Sequence, residues 1–230
     1  MKKLNTALFL TILCLFIGTQ SANSTRAYNK AWAVTTIIGS MPFNPAFKYY
    51  IEPQIRFIDD DYLFNQTLQF GGLGYQINKN VVIFTGAGWI ITKTPEGDST
   101  HETRFWQQLN WLMLINSSLN INSRTRLEER KLTDAAQMAV RFRQRIWMRV
   151  PFKKWERHSF SVNNEFFFNL NHPHWVSPYL LEQNRAFVGI STQLTKSMTA
   201  DIGYLNQYAR PSNTNTFSDH VFLLSFNIAS

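Results

Sequence analysis

The alternation of apolar and polar residues along unusually long segments is the feature that most restricts the fold of this chain. Residues 47–57 place Phe, Tyr and Ile at most odd positions and Lys, Glu, Gln and Arg at most even ones. Residues 140–150 and 159–169 alternate in the same way. A period of two is the signature of a β-strand with one apolar and one polar face. A helix over 140–150 would instead put Arg143 among apolar side chains, opposite Arg141.

Eleven such segments follow one another, and most are 10–14 residues long. Strands of soluble domains usually have about 5–6 residues, whereas a tilted strand that crosses a bilayer needs about 9–11. The lengths therefore favour membrane-spanning strands. The segments are 31–40, 47–57, 63–76, 81–93, 104–115, 119–131, 140–150, 159–169, 183–194, 199–209 and 218–228.

The links between these segments alternate in length. Long polar links at 94–103, 132–137, 170–182 and 210–217 alternate with short ones near 78–80, 116–118, 151–156 and 195–198. Outer-membrane barrels have this order, with short periplasmic turns and longer outer loops. We therefore predict an all-β protein, an antiparallel transmembrane β-barrel of about 10–12 strands.

Two features do not fit this prediction simply. Ten strands between residues 46 and 228 make an even barrel, as is usual for bacterial single-chain barrels. Segment 31–40 would make the number of strands odd. We therefore interpret it as a plug, a periplasmic piece or one of two strands not yet divided. Pro53 lies inside a predicted strand although proline cannot donate to the ladder, which counts against this strand unless a β-bulge accommodates the proline.

The first 24 residues have the organisation of a cleaved signal peptide. Lys2 and Lys3 precede a short apolar stretch, and a small, polar exit follows. The apolar stretch is too short to span a bilayer, which distinguishes a signal from an anchor. We expect cleavage near residue 24 and a single outer-membrane β-barrel domain over 25–230. Because Cys14 is the only cysteine, the mature chain would have no disulfide and no thiolate ligand or nucleophile.

Composition excludes several classes of protein. The 19 Phe, 8 Tyr and 7 Trp are too many for a disordered chain. After the N-terminal segment no stretch has the roughly 18 consecutive apolar residues of a spanning helix. The formal charge is +8, and the basic residues are too scattered to indicate a nucleic-acid partner.

Arginine is concentrated in one part of the chain. Seven of the 13 arginines lie between residues 124 and 149, on two neighbouring predicted strands. If the apolar faces meet lipid, these side chains point into the lumen. They then form either an anion-attracting pore or a filled, hydrogen-bonded interior, which is favoured because small barrels are commonly filled by side chains. The candidate lumen residues are Glu52, Arg56, Arg124, Arg126, Glu128, Arg130, Arg141, Arg143, Arg145, Arg149 and Glu165.

Catalytic and metal-binding patterns are weak. His172 and His174 flank a proline without a nearby carboxylate, which favours a surface loop over a metal site. Asp219 and His220 are adjacent, so within a strand they point in opposite directions and cannot form part of a Ser-His-Asp triad. We predict no catalytic, metal-binding or cofactor-binding residue and no cofactor.

Glycine and tryptophan add two expectations about the barrel wall. Gly71, Gly72 and Gly74, with Gly86 and Gly88, lack the following helix of a phosphate-binding loop, and we expect them to permit curvature or close packing. The larger aromatic residues include candidates for the girdles at the lipid headgroups. They are found among Trp32, Tyr49, Trp89, Trp106, Trp111, Trp147, Trp155 and Trp175, and the alternative for Trp111 and Trp147 is a position within their strands.

Several short motifs, in this order and spacing, resemble a known bacterial family. They are Gly72-Leu73-Gly74-Tyr75, the run from Arg124 to Arg130, Arg141-Phe142-Arg143, the run from Asn164 to Asn169, Gln183-Asn184-Arg185, Gly203-Tyr204 with Gln207, and Asp219-His220-Val221. Together they resemble the domain of unknown function 2490, a family of predicted outer-membrane barrels of Gram-negative bacteria. The resemblance extends from Trp32 to Ile228. It implies a fold and a location and supplies no catalytic residue.

The chain departs from many outer-membrane barrels at its end, because it finishes at Ser230 and not at an aromatic residue. The expected function is a non-enzymatic outer-membrane barrel, either a narrow channel that favours anions or a closed structural barrel. Outer-membrane lipids and small anions are the expected partners. One alternative is a hydrolase acting on lipid or lipopolysaccharide at the outer rim. Another is a soluble periplasmic lipid-binding barrel, which would have an apolar interior and a polar exterior.

Overall fold

The computed structural model describes residues 27–58, 63–93, 97–211 and 216–230, and the predicted signal peptide lies outside these residues. Eleven strands form one closed barrel, within the predicted range of strand number. No helix in the described part of the chain is long and apolar enough to cross a membrane. The strands are β1 (Asn29–Met41), β2 (Asn44–Ile58), β3 (Leu63–Asn78), β4 (Val81–Lys93), β5 (Ser99–Ile115), β6 (Asn120–Leu132), β7 (Ala139–Pro151), β8 (His158–Asn169), β9 (Leu181–Gln193), β10 (Met198–Ala209) and β11 (Phe217–Ala229).

The barrel closes through a parallel pair of strands. Every strand is antiparallel to the next one in sequence, whereas β1 and β11 run in the same direction, with Asn29 opposite His220 and Ile38 opposite Ala229. Segment 31–40 is therefore part of a barrel strand, and its interpretation as a plug or a periplasmic piece was wrong. A closed barrel of sequentially antiparallel strands needs an even number of strands only when its first and last strands are also antiparallel.

The two rims of the barrel differ. The short links 42–43, 79–80, 116–119 and 194–197 lie at one rim, which we call the turn end, together with 152–157. The opposite rim, the loop end, carries 133–138 and 170–180, and β2, β4 and β10 also end there. Because β1 and β11 are parallel, the chain enters the barrel at the loop end and finishes at the turn end. There the Ser230 N–H donates to the Ile38 carbonyl, 3.0 Å away.

Pro53 is accommodated without a bulge. The pairing of β2 with β3 is continuous through Pro53, opposite Gln69. On the other side of β2, Val34 pairs with Gln54 and Ile37 with Ile51 in one register, and the two positions between them are unpaired. The missing N–H of proline interrupts the ladder locally. The strand is confirmed, although no bulge accommodates the proline.

Apolar side chains cover the outer wall. Along β2 the side chains of Ile51 and Ile55 are 46% and 43% exposed, whereas Glu52 between them is 4% exposed. Large exposed apolar residues occur on other strands as well, among them Leu73, Trp89, Phe105 and Phe222. The alternation predicted for these strands thus separates an apolar outer face from an inner one.

The interior is not uniformly polar. One buried apolar cluster lies inside β2 to β5, and a second joins β1 to β9, β10 and β11. They consist of Tyr50, Leu68, Phe70, Phe84, Ile90 and Trp106, and of Trp32, Phe187, Leu205, Val221 and Leu223. Trp32, Trp106 and also Trp147 are at most 8% exposed and lie inside, so the assignment of Trp32 and Trp106 to an aromatic girdle was wrong. Trp106 and Trp32 are buried in the two interior apolar clusters and do not face the outside of the barrel.

Two glycines make room for Trp106, which is fully buried. A Cβ atom on Gly72 would lie 2.7 Å from the Trp106 ring, and one on Gly86 would lie 2.5 Å from it. The indole packs against the backbone of Gly72 and Gly86, and the Cβ atom of any other residue at these two positions would collide with it. Close packing therefore explains these glycines.

Replacement of Gly86 by valine should destabilise the barrel, because the new side chain would collide with Trp106 and with the Gly71 carbonyl, 2.1 Å from a Cβ at this position. Overpacking of this kind costs about 1–3 kcal/mol or more. Urea unfolding of the refolded protein, followed by tryptophan fluorescence, measures the loss. Gly71→Ala is the matched control, since its Cβ would meet nothing within 4 Å. Equal stability of both variants would contradict the packing explanation.

Candidate functional site

Contacts between distant strands show where the charged residues lie. Arg124 on β6 is 3.7 Å from Glu52 on β2, and the Arg126 guanidinium donates to the Tyr50 hydroxyl at 3.0 Å. Arg149 on β7 pairs with Asp201 on β10 at 3.0 Å. These strands are not neighbours in the wall, so the side chains meet across the interior.

Glu128 lies at the centre of this charged interior and is fully buried. It accepts hydrogen bonds from Arg141 Nη2 at 2.6 Å and from Arg143 Nη1 at 2.5 Å. Arg104 and Arg126 are 3.9 and 3.8 Å from its oxygens. Four guanidinium groups therefore surround one carboxylate, and charge-assisted bonds of this type are the strong ones in proteins.

Arg143 connects Glu128 with a second carboxylate. Its Nε and Nη2 atoms donate to Glu165 Oε1 at 3.0 and 2.8 Å, and Arg124 Nη2 donates to the same oxygen at 2.7 Å. Glu52 continues the network, accepting from the Tyr50 hydroxyl and from Gln54 Nε2 at 2.8 Å. The ion pairs thus form one connected network across the middle of the barrel.

The alternation did not identify every member of the network. Near the loop end Glu102 accepts from Arg104 and Arg130 at 2.6 and 2.7 Å, and Glu182 lies 3.4 Å from Arg141. The parity rule applied to segment 104–115 would have placed Arg104 inside. Glu102 was assigned to the link 94–103, whereas β5 begins at Ser99 and includes it. Asp201, Asp219, Lys30 and Arg185 are further interior charges that sequence reasoning missed.

Three interior arginines have no carboxylate within ion-pair distance among the described residues: Arg56, Arg145 and Arg185. Arg56 donates to Gln66 and Gln54 at 2.9 and 2.8 Å. Arg185 donates to Gln207 at 3.2 Å. The Arg145 guanidinium lies 4.8 Å from the Trp147 ring centroid. Positive charge is therefore in excess within the interior.

A chain of cavities follows these arginines through the barrel. A cavity of about 490 Å³ opens at the turn end, and one of about 260 Å³ lies towards the loop end. Between them is a central cavity of about 70 Å³. It shares Arg145 with the turn-end cavity and shares Arg56 and Arg185 with the loop-end cavity. Space is present along the axis, but it is narrow in the middle.

The residues considered for catalysis and metal binding are placed apart. Asp219 is buried inside, 2.5 Å from Lys30 Nζ, whereas His220 lies on the outer wall, 2.6 Å from the Tyr204 hydroxyl. The two side chains therefore point in opposite directions, as the alternation predicts. His172 Nδ1 lies 3.2 Å from the Ser177 carbonyl oxygen in the link after β8. The described residues contain no group of three or more His, Cys, Asp or Glu arranged to hold a metal ion.

The fold and its interior define a class: an eleven-stranded closed β-barrel with an apolar outer wall and a charged inner network. Comparison with known proteins gives the family. The model of the family described as a protein of unknown function, DUF2490, matches residues 29–218, and the chain belongs to this family. The resemblance inferred from the sequence motifs is thereby confirmed.

One relative is similar over nearly the whole chain. An uncharacterized protein of Methylorubrum extorquens (strain AM1) is 27% identical over 223 residues, which cover 96% of each chain. No solved structure matches this chain.

Glu128→Gln should destabilise the barrel strongly, because Arg141 and Arg143 would keep their buried charges and lose the carboxylate that compensates them. Removing one partner of a buried ion pair costs about 3–5 kcal/mol. The free energy of unfolding in urea, measured on protein refolded in detergent micelles, tests this. Glu129→Gln, one residue away on the outer face, is the control and should change stability little. A Glu128→Gln variant as stable as the wild type would show that the network does not depend on this carboxylate.

Proposed function

We propose that this protein is a non-enzymatic barrel integral to the bacterial outer membrane, with an interior closed by the arginine–glutamate network to all but the smallest solutes. The observation that carries the proposal is the distribution of side chains. Large apolar residues are exposed on the outer wall, and the charged ones are buried inside. Lipid stabilises such a wall, whereas water does not.

Strand length supports the same proposal. The strands have 12 to 17 residues, enough for a tilted strand to cross a bilayer, which takes about 9–11. The soluble lipid-binding alternative calls for a polar exterior and an apolar cavity. The exposure of Ile51 and Ile55 on β2 argues against that alternative.

The network supports a closed barrel in preference to a wide pore. Arg143 and its carboxylate partners cross the middle of the interior, and the two apolar clusters fill the space beside them. A narrow channel that favours anions is the second candidate. It is supported by the shared lining of the three cavities and by the arginines that lack a carboxylate partner.

Ile51→Arg provides a test of membrane insertion. Ile51 is at the midpoint of β2 and faces outwards, so an arginine there should lower folding stability in lipid vesicles by about 2–4 kcal/mol. Phe43→Arg in the turn after β1 is the control, because the cost falls to about 0–1 kcal/mol near the interface. A soluble barrel would tolerate both substitutions equally. Extraction of cell membranes with carbonate provides a second test, in which an integral barrel stays in the pellet.

Planar-bilayer recordings of the refolded protein distinguish the closed barrel from the narrow channel. We expect no openings of the size that wide porins give, because the network occupies the middle of the interior. Small, discrete openings that favour anions and lose that preference in Arg145→Gln would establish the channel instead. Arg157→Gln, an exposed arginine in the link between β7 and β8, is the matched control.

A further inference from the structure

The central cavity has an unusual charge balance. Five arginines and two glutamates line it: Arg56, Arg124, Arg143, Arg145 and Arg185, with Glu52 and Glu165. The formal excess is three positive charges around a space of about 70 Å³. Like charges gathered in a poorly hydrated interior repel one another strongly unless a counter-charge is present.

The carboxylates of the cavity are already engaged. Glu165 Oε1 accepts from both Arg124 and Arg143, and Glu52 accepts from Tyr50, Gln54 and Thr36. Arg56, Arg145 and Arg185 are left with amide or aromatic partners. The Nε atom of Arg56 is buried and has no hydrogen-bond partner among the described residues. The described part of the chain therefore presents donors and positive charge here without an anion of its own to match them.

Aromatic rings hold two of these guanidinium groups in place. Arg56 and Arg185 lie 4.1 and 4.7 Å from the Trp32 ring centroid, so the indole lies close to both of them. Cation–π contacts orient a guanidinium but leave its net charge uncompensated. Positioned arginines without carboxylates are the usual means of binding a small oxyanion, because the planar fork matches two of its oxygens.

We propose that the central cavity is a binding site for one small inorganic oxyanion, phosphate or sulfate, held by Arg56, Arg145 and Arg185. The volume fits this class, because a cavity needs only about 10–15 Å³ to hold one water molecule and this one, at about 70 Å³, has room for a small anion of several atoms. Asn163, Ser225 and Asn227 also line the cavity and offer neutral donors. The cavities at both rims share lining residues with it and provide a route of entry.

Binding is measured on the full chain refolded in detergent micelles, which makes the result independent of where the barrel is located in the cell. Isothermal titration calorimetry with sodium phosphate, sodium sulfate or sodium chloride, each at constant ionic strength, separates the anions. We expect saturable binding of an oxyanion with one site per chain and no saturable binding of chloride. The stronger of phosphate and sulfate identifies the ligand. Absence of saturable binding by folded wild-type protein overturns the proposal.

Variants then locate the site. Arg145→Gln and Arg185→Gln should each weaken oxyanion binding by roughly tenfold or more, since each removes a charge-assisted hydrogen bond. In anion-free buffer both should be at least as stable as the wild type, because they relieve repulsion and break no ion pair. Arg157→Gln should bind as the wild type does. Unchanged binding in both interior variants places the anion elsewhere and overturns the proposal. If one of them does not fold, the other and the wild-type titration still decide.

Discussion

Arg143 donates to Glu128 and Glu165 at once, and this double ion pair at the middle of the barrel is the interaction on which the rest of the interior depends. Burying charge is expensive, and the attraction compensates only where every partner is in place. The same two carboxylates also form ion pairs with other arginines: Glu165 with Arg124, and Glu128 with Arg126 and Arg141. The network therefore joins β6, β7 and β8 through buried side chains in addition to their backbone pairing.

The apolar clusters beside the network give the barrel its closed interior. Trp106 lies against Gly72 and Gly86 on one side, and Phe187 lies against Gly189 and Gly203 on the other, where added Cβ atoms would come within 2.6 and 3.0 Å of its ring. On both sides an aromatic ring takes the place of two absent side chains. This packing confines the polar network to a middle sector and narrows the axial space there to the small central cavity.

Much of this architecture could be predicted from alternation, and the rest depends on geometry that a linear pattern does not contain. Alternation places Arg141 and Arg143 on one face, which is the inner face of the structure. It does not say which glutamate each arginine contacts. Arg124 contacts Glu52 across the barrel, and such a contact depends on the tilt of the strands, which the linear pattern does not contain. Trp106 was assigned to the membrane interface because it lies near the predicted start of its strand, although the parity that places Arg104 inside places Trp106 inside as well. The parallel seam was missed because even parity was assumed.

The parallel seam also limits how the chain can be rearranged. An even barrel brings its two termini to the same rim, so they can be joined through a short turn. Here the start of β1 and the end of β11 are at opposite rims, separated by a thirteen-residue strand that is roughly 40 Å long at about 3.3 Å per residue. A permuted version that joins these two ends would need a linker that runs the height of the wall. Partners fused directly before β1 and directly after β11 would for the same reason be held at opposite rims.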